Sequence, residues 1–298
     1  MMRGSLPTRA GSIRSWLCLV FLVAAYFAFD PAADAIYRPL AHVFGWHMIA
    51  DRLMGLPPYA LLMVVRLGLD LVVVFGVHAI LVRRLNGFPL TGPRMASRTL
   101  LGFATGLLVM AGAILLIIET GHATVRLAQQ SAAASLVSGS GWLFFDFVGA
   151  MGEELYGRVA VLLVAERLFG RKGAILVSGL MFSVVHLGNP GVSWIWLLRI
   201  FLQGALLAYA VYRTGSFWWA TGYHTGWNWA SAPLFGAAGS GYLDRGHLLD
   251  FTPHGSGLIT GGVVGPEGSV FAFVAVLCAF GLLTVTTSRS PQKRRPAR

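Results

Sequence analysis

The sequence predicts an all-α polytopic membrane protein, a helical bundle of about eight transmembrane helices. Of its 298 residues, 56% are hydrophobic and only 12% are charged, whereas a typical soluble domain carries about 25% charged residues. The mean hydropathy is +0.68, and no polar stretch is long enough to form a separate soluble domain. This composition excludes a disordered chain, a collagen-like chain and a disulfide scaffold.

Eight apolar segments divide the chain. They are 16–29, 57–82, 99–118, 142–165, 173–188, 193–212, 216–235 and 270–287. A helix needs about 20 apolar residues to cross the hydrocarbon core, so the first segment is short for a span. Arginines before this segment and Ala33-Asp34-Ala35 after it leave a cleavable signal peptide as the alternative to a retained first helix.

Lysine and arginine alternate between the loops as the positive-inside rule requires. Basic residues are concentrated in the N-terminus, the tail and the loops 83–98 and 166–172, and the other long loops contain few. We therefore expect both termini in the cytoplasm. This pattern also accounts for the net charge of +11, so the bilayer is the expected partner and nucleic acid is not. The preference for arginine over lysine and the short loops favour a bacterial inner membrane.

The expected organisation has six parts. They are a basic cytoplasmic N-terminus (1–15), N-terminal transmembrane helices (16–130), a central helical core (131–240), a Gly-rich outer loop (241–269), a last transmembrane helix (270–287) and a basic cytoplasmic tail (288–298). The loop between the last two apolar segments, 236–269, contains His247, Asp250 and His254, and we interpret it as solvated, with a metal site as the alternative. Cys18 and Cys278 fall inside apolar segments and are interpreted as free core thiols.

Ionisable residues inside a membrane span are costly and indicate either structural pairing or function. Arg66 and Asp70 are one helical turn apart, and we interpret them as a structural pair. His78 and Arg199 stand alone in their segments, and we assign them structural roles as well.

The fourth segment contains more ionisable residues than a structural pair requires. Glu154 and Arg158 are spaced to form an ion pair, which leaves Glu153 without a local partner. Asp146, seven residues before Glu153, lies on the same helix face. These residues make the fourth segment the first candidate for a functional site.

Two further segments place polar groups near the level of Glu153. Counted at ~1.5 Å per residue from the cytoplasmic anchors Arg171, Lys172 and Arg213, Glu153 lies about 27 Å deep, His186 about 21 Å and Asn228 about 23 Å. His224 lies about a turn below them, at about 16 Å. Three helices are thus expected to build one buried polar site.

This set of groups is suited to activating water. A glutamate in an apolar environment can act as a general base near neutral pH, and imidazole and amide N–H groups can stabilise a tetrahedral oxyanion. Ser178 and Ser183 lie near His186 but lack a third group, which argues against covalent catalysis. Zinc held by Glu153, His186 and His224 is the alternative, based on residue types alone.

At these residues the sequence resembles the CPBP family of intramembrane proteases, which includes CAAX prenyl endopeptidases and bacteriocin-processing, Abi-like proteins. The family pattern is Glu-Glu-x-x-x-Arg, then Phe-x-x-x-His, then His-x-x-x-Asn or Asp. This chain matches it with Glu153-Glu154 and Arg158, Phe182 and His186, and His224 and Asn228. The resemblance covers residues 140–235.

The resemblance implies an intramembrane endopeptidase. It makes Glu153 the water-activating base with His186 as its partner, and it assigns His224 and Asn228 to the oxyanion hole. Members of the family have been described both as metalloproteases and as metal-free glutamate proteases; we expect no required metal, with Zn²⁺ as the alternative. The expected substrate is a membrane-associated protein or peptide.

Two other interpretations remain open. The polar cluster could be structural, in a non-catalytic membrane protein with an immunity, binding or scaffold role. It could also be the ion or proton site of a transporter. A transporter needs polar groups at more than one depth in the membrane, and Asp146 is the residue that could provide a second site on the face of Glu153.

Overall fold

The computed structural model describes residues 9–46, 53–81 and 94–287, and most of this part of the chain is α-helical. The helices are α1 (Arg9–Val43), α2 (Leu56–Leu81), α3 (Met95–Glu119), α4 (Ala132–Glu154), α5 (Leu162–Val184), α6 (Trp194–Thr214), α7 (Trp218–Trp229), α8 (Gly257–Thr260) and α9 (Val270–Thr286). The short strands are β1 (Leu53–Met54), β2 (Ala123–Leu127), β3 (Leu243–Asp244) and β4 (Leu249–Pro253).

Helices α1, α2, α3 and α6 are long and apolar enough to cross a membrane, and α9 is a shorter apolar helix. The all-α membrane bundle is therefore confirmed, while the count of eight spans stays a prediction. The first helix is longer than the predicted segment 16–29, and its candidate span runs from Ile13 to Val43. Pro31 lies inside this helix, and membrane helices tolerate such prolines.

The fourth and fifth apolar segments form two consecutive helical stretches joined by a sharp turn. Helix α4 continues through the π-helical segment Leu155–Val161 into the first part of α5. The chain then turns at Gly170, whose φ of 68° and ψ of 177° suit only a residue without a Cβ atom. This turn lies within the predicted 166–172 connection and separates the helix of Glu153 from the helix that leads to His186.

Helices α3 and α7 cross in direct backbone contact. Gly102 and Gly106 of α3 face α7, and Gly222 and Gly226 of α7 face α3. A Cβ atom at any of the four would lie 2.0–2.2 Å from a backbone oxygen of the other helix. Each pair has the G-x-x-x-G spacing that allows membrane helices to pack closely. This helix contact was not predicted from the sequence, although the α7 pair brackets His224.

Most of the 236–269 loop is buried or half-buried, whereas residues 252–258 are exposed, so the expectation of a solvated loop holds only for that stretch. Strand β4 pairs antiparallel with β2, and β3 pairs in parallel with β1. Asp244 and Glu267 are buried, and His247 and Asp250 form a hydrogen-bonded pair at 2.7 Å between Nε2 and Oδ1. Within the described residues, no group of three or more His, Cys, Asp or Glu side chains is arranged to hold a metal ion.

Two contacts differ from the sequence interpretation. Arg66 forms its ion pair with Asp30 of α1, rather than with Asp70, because helix packing brings α1 and α2 together. Asp70 is buried beside Gly152 of α4. Cys18 is buried as expected, whereas Cys278 is exposed on the surface of the bundle.

The buried carboxyl group of Asp244 should make the stability of the folded protein depend on pH. Burial, followed by the charge of nearby Asp146, raises the pKa of the Asp244 carboxyl well above its usual range. Because the folded state favours the protonated form, stability should decrease as pH rises from the unfolded pKa, about 3.9, towards the raised folded value. Thermal unfolding in detergent should show this loss in the wild type. Asp244→Asn should remove most of it; an unchanged pH profile in that variant would contradict the assignment.

Candidate active site

Two consecutive glutamates end α4 and point in different directions. Adjacent helical residues are separated by about 100° around the axis. The side chain of Glu154 is fully buried, whereas that of Glu153 is 44% exposed. A π-helical segment begins immediately after them, and such segments are frequent at functional sites. One carboxylate is thus held inside the protein, and its neighbour is accessible.

The His224 ring lies between these two carboxylates. Its Nδ1 is 3.0 Å from Oε1 of Glu154, and its Nε2 is 4.0 Å from Oε2 of Glu153. Glu154 also pairs with Arg158 at 3.1 Å, with both side chains fully buried. An ionised carboxylate only accepts hydrogen bonds, so Nδ1 of His224 carries a proton. Its Nε2 is left to face Glu153.

Phe182 separates the two imidazoles of the site. Its ring meets that of His186 at 4.9 Å and that of His224 at 5.6 Å, both edge to face. The guanidinium of Arg158 lies over the same ring, 4.2 Å from its centroid. The four-residue spacing of Phe182 and His186 therefore has a packing basis, since the phenyl ring supports both histidines.

His186 is oriented by the end of α5. Its Nδ1 is 2.7 Å from the carbonyl oxygen of Phe182. A carbonyl oxygen cannot donate, so Nδ1 must be the donor, and Nε2 of the neutral ring is a hydrogen-bond acceptor. The Trp196 ring packs edge to face at 5.8 Å on the other side. The residue is thus preset to accept a proton or a hydrogen bond through Nε2.

One small cavity, with a volume of about 10 Å³, joins three of the predicted residues. His186, His224 and Asn228 line it, and Glu153 stands beside it, within 4.0 Å of His224. The other lining residues are Phe182, Arg199, Ile200, Gln203, Trp227, Ser240 and Glu267. The structure therefore brings the predicted groups of α4, α5 and α7 to one place.

Several cavity residues were missed or misread from the sequence. Arg199, interpreted as a lone structural arginine, forms a buried ion pair with Glu267 at 2.9 Å. Ser240 donates to the same Glu267 oxygen at 3.1 Å. The only sequence signal was an arginine in an apolar helix, which requires an anionic partner. The sequence could not predict that this partner is Glu267, in a distant loop.

The other polar residues considered in the sequence, Asp146, Ser178 and Ser183, form hydrogen bonds outside the candidate catalytic cluster. Asp146 accepts a hydrogen bond of 3.1 Å from the Tyr59 hydroxyl. Ser178 and Ser183 donate to the backbone oxygens of Gly157 and Leu197. These hydroxyls are therefore not positioned as nucleophiles next to a base.

The residues do not fit a zinc site in the arrangement seen. Two ligand atoms on a tetrahedral zinc, each at ~2.0–2.1 Å from the metal, lie about 3.3 Å apart. The Glu153 oxygen and the His224 nitrogen are 4.0 Å apart. The described residues contain no three-membered cluster of ligands for a metal. We therefore derive no step through a metal.

The fold and the site together define an integral membrane protein with a glutamate–histidine–asparagine cluster between its helices. Residues 136–230 match the family model described as type II CAAX prenyl endopeptidase Rce1-like. This match confirms the resemblance to the CPBP family seen in the sequence. The match spans the chain from α4 to the end of α7 and includes Glu153, His186, His224 and Asn228. No curated protein matches the chain.

Proposed function

We propose that this protein is an intramembrane endopeptidase that hydrolyses a peptide bond of a membrane-associated protein or peptide. The observation that carries the proposal is the position of His224, with a buried carboxylate at one ring nitrogen and an accessible carboxylate, Glu153, facing the other. The family match adds the general class, since Rce1-like proteins are described as CAAX prenyl endopeptidases. A prenylated or otherwise lipid-anchored substrate follows from that description.

In the first step, Glu153 removes a proton from water while the water oxygen attacks the carbonyl carbon of the scissile bond. The exposure of Glu153 gives water and peptide access to its carboxylate. His186 accepts a hydrogen bond from the same water through Nε2, because its Nδ1 is committed to a backbone oxygen. Together the two residues hold the water, and Glu153 accepts its proton.

The negative charge of the tetrahedral intermediate is stabilised by Asn228 and His224. The Asn228 amide supplies a neutral N–H donor. His224 can donate from Nε2 only as an imidazolium, since Nδ1 already donates to Glu154. The buried Glu154 carboxylate favours that charged form. When the C–N bond breaks, the proton held by Glu153 passes to the leaving nitrogen. The products are an amine and a carboxylic acid, which releases its proton to water.

For the membrane arrangement, we propose a bacterial inner membrane with both termini in the cytoplasm. The alternation of basic residues between loops supports this orientation. The substrate would then reach a site that lies within the bilayer, among the helices that hold Glu153, His186 and Asn228.

Asn228→Ala should lower the cleavage rate by about 10²–10³-fold, the usual cost of an oxyanion-hole donor. Since the side chain acts on the intermediate, kcat should decrease far more than KM rises. The measurement is quantitative mass spectrometry of membrane-peptide products in cells with wild type or variant, followed by kinetics on the peptide so identified.

Ser183→Ala is the matched control. Its hydroxyl donates to the Leu197 oxygen, so products should be retained at near wild-type level. If no product separates wild type from Asn228→Ala at equal expression, the cluster has no oxyanion role. Loss of products in Ser183→Ala with the fold retained would favour a covalent serine mechanism instead.

A further inference from the structure

A second buried ion pair adjoins the proposed catalytic groups. Arg199 of α6 donates from Nη2 to a Glu267 carboxylate oxygen at 2.9 Å and from Nε to the Glu267 backbone oxygen at 3.1 Å. Its Nη1 donates to the side-chain oxygen of Gln203. The side chains of Arg199 and Glu267 are only 2% and 3% exposed. The loop residue is therefore held by side chain and backbone at once.

The pair also holds the beginning of the 236–269 loop. Ser240 donates to the Glu267 carboxylate at 3.1 Å, and the Asn189 amide donates to the Ser240 backbone oxygen at 3.0 Å. Both Ser240 and Glu267 line the cavity of His186 and His224. One carboxylate thus fastens two distant parts of the loop to α6 and makes them a wall of that cavity.

Helix α6 connects this wall to the catalytic side chains. The Arg199 guanidinium lies over the Trp227 ring, 5.2 Å from its centroid, and Trp227 immediately precedes Asn228. One turn before Arg199, Trp196 packs against His186. A displacement of Arg199 would therefore reach the proposed oxyanion donor through Trp227.

We propose that Arg199, Glu267 and Ser240 form a positioning clamp. The clamp holds the loop as the closing wall of the hydrolytic cavity, limits its access to water and fixes the orientation of Asn228 through Trp227. This inference rests on the proposed function for its catalytic consequence. Its structural consequence, restricted access to the cavity from the side of the loop, does not depend on catalysis.

The first test separates positioning from simple stabilisation. Removing one member of a buried pair leaves a charge without its partner, whereas removing both is often tolerated. Arg199→Met and Glu267→Gln should each lower the Tm, and the double variant should recover it. We expect kcat of the double variant to stay at least tenfold below wild type with a smaller change in KM. Recovery of both Tm and kcat would overturn the positioning role.

The second test measures access to the cavity directly and requires no peptidase activity. In protein carrying Cys18→Ala and Cys278→Ala, the variant Asn228→Cys places a thiol in the cavity. Its rate of modification by a water-soluble methanethiosulfonate reagent is measured with the clamp intact and with Ser240→Ala, which leaves no unpaired charge. We expect the rate to rise at least threefold when the Ser240 hydroxyl is removed.

His247→Gln is the matched control, since His247 pairs with Asp250 in the same loop but does not line the cavity. The labelling rate should stay at the wild-type value in this variant. An unchanged rate in Ser240→Ala, or an equal increase in His247→Gln, would overturn the clamp. If the wild type cleaves no membrane peptide while the labelling difference is present, the proposed function fails, and the role of the loop as a wall of the cavity stands.

Discussion

Glu153→Gln should reduce the cleavage rate by about 10²–10⁴-fold, the usual contribution of a positioned general base, and leave the fold intact. The amide keeps the size of the carboxylate but cannot accept the proton of the attacking water. Stability should change little because the Glu153 side chain is 44% exposed and lies 4.0 Å from its nearest charged partner, His224. The measurement compares cleavage kinetics and thermal unfolding of the purified variant with the wild type.

Glu154→Gln is the adjacent and chemically identical control. Glu154 is fully buried between His224 and Arg158, so the change leaves Arg158 as a buried charge without its counter-ion. Breaking a buried pair in this way costs about 3–5 kcal/mol, and the free energy of unfolding should decrease accordingly. Unfolding in Glu153→Gln, or full activity there, would show that the two glutamates do not divide their roles between chemistry and structure.

The second large effect is expected at the crossing of α3 and α7. Gly106→Ala and Gly222→Ala each place a Cβ atom 2.0 Å from a backbone oxygen of the opposite helix, so the helices must separate. Overpacking of this kind costs about 1–3 kcal/mol, and sometimes more. Because His224 lies between Gly222 and Gly226, the ring should move relative to Glu153. A misplacement of about 1 Å in an active site can cost about 10²-fold in rate.

Gly112→Ala is the matched control on α3, since a Cβ atom there meets no atom within 4 Å apart from the adjacent backbone of its own helix. Alanine is favoured over glycine inside a helix, so this variant should be as stable as the wild type and fully active. The comparison requires thermal unfolding and cleavage kinetics on all three variants. Equal behaviour of Gly112→Ala and Gly222→Ala would show that close helix contact does not position His224.

The candidate site was predictable in composition but not in arrangement. Counting residues from basic anchors placed Glu153, His186 and Asn228 near one level, and the cavity residues do meet. The count placed His224 about a turn below them, yet His224 is the residue that contacts both glutamates. Depth along an axis carries no information on where helices cross, and the glycine contacts of α3 and α7 decide that here.

The helical content and the membrane location were determined by the sequence itself, because apolar segment length and internally satisfied backbone hydrogen bonds are local properties. The spacing of Glu154 and Arg158 is local in the same sense. The pairing of Arg199 with Glu267, which lies 68 residues away, and the packing of the 236–269 loop were decided only by tertiary structure. Such contacts follow from how the helices and the β2–β4 pair come together, and no periodicity in the chain records them.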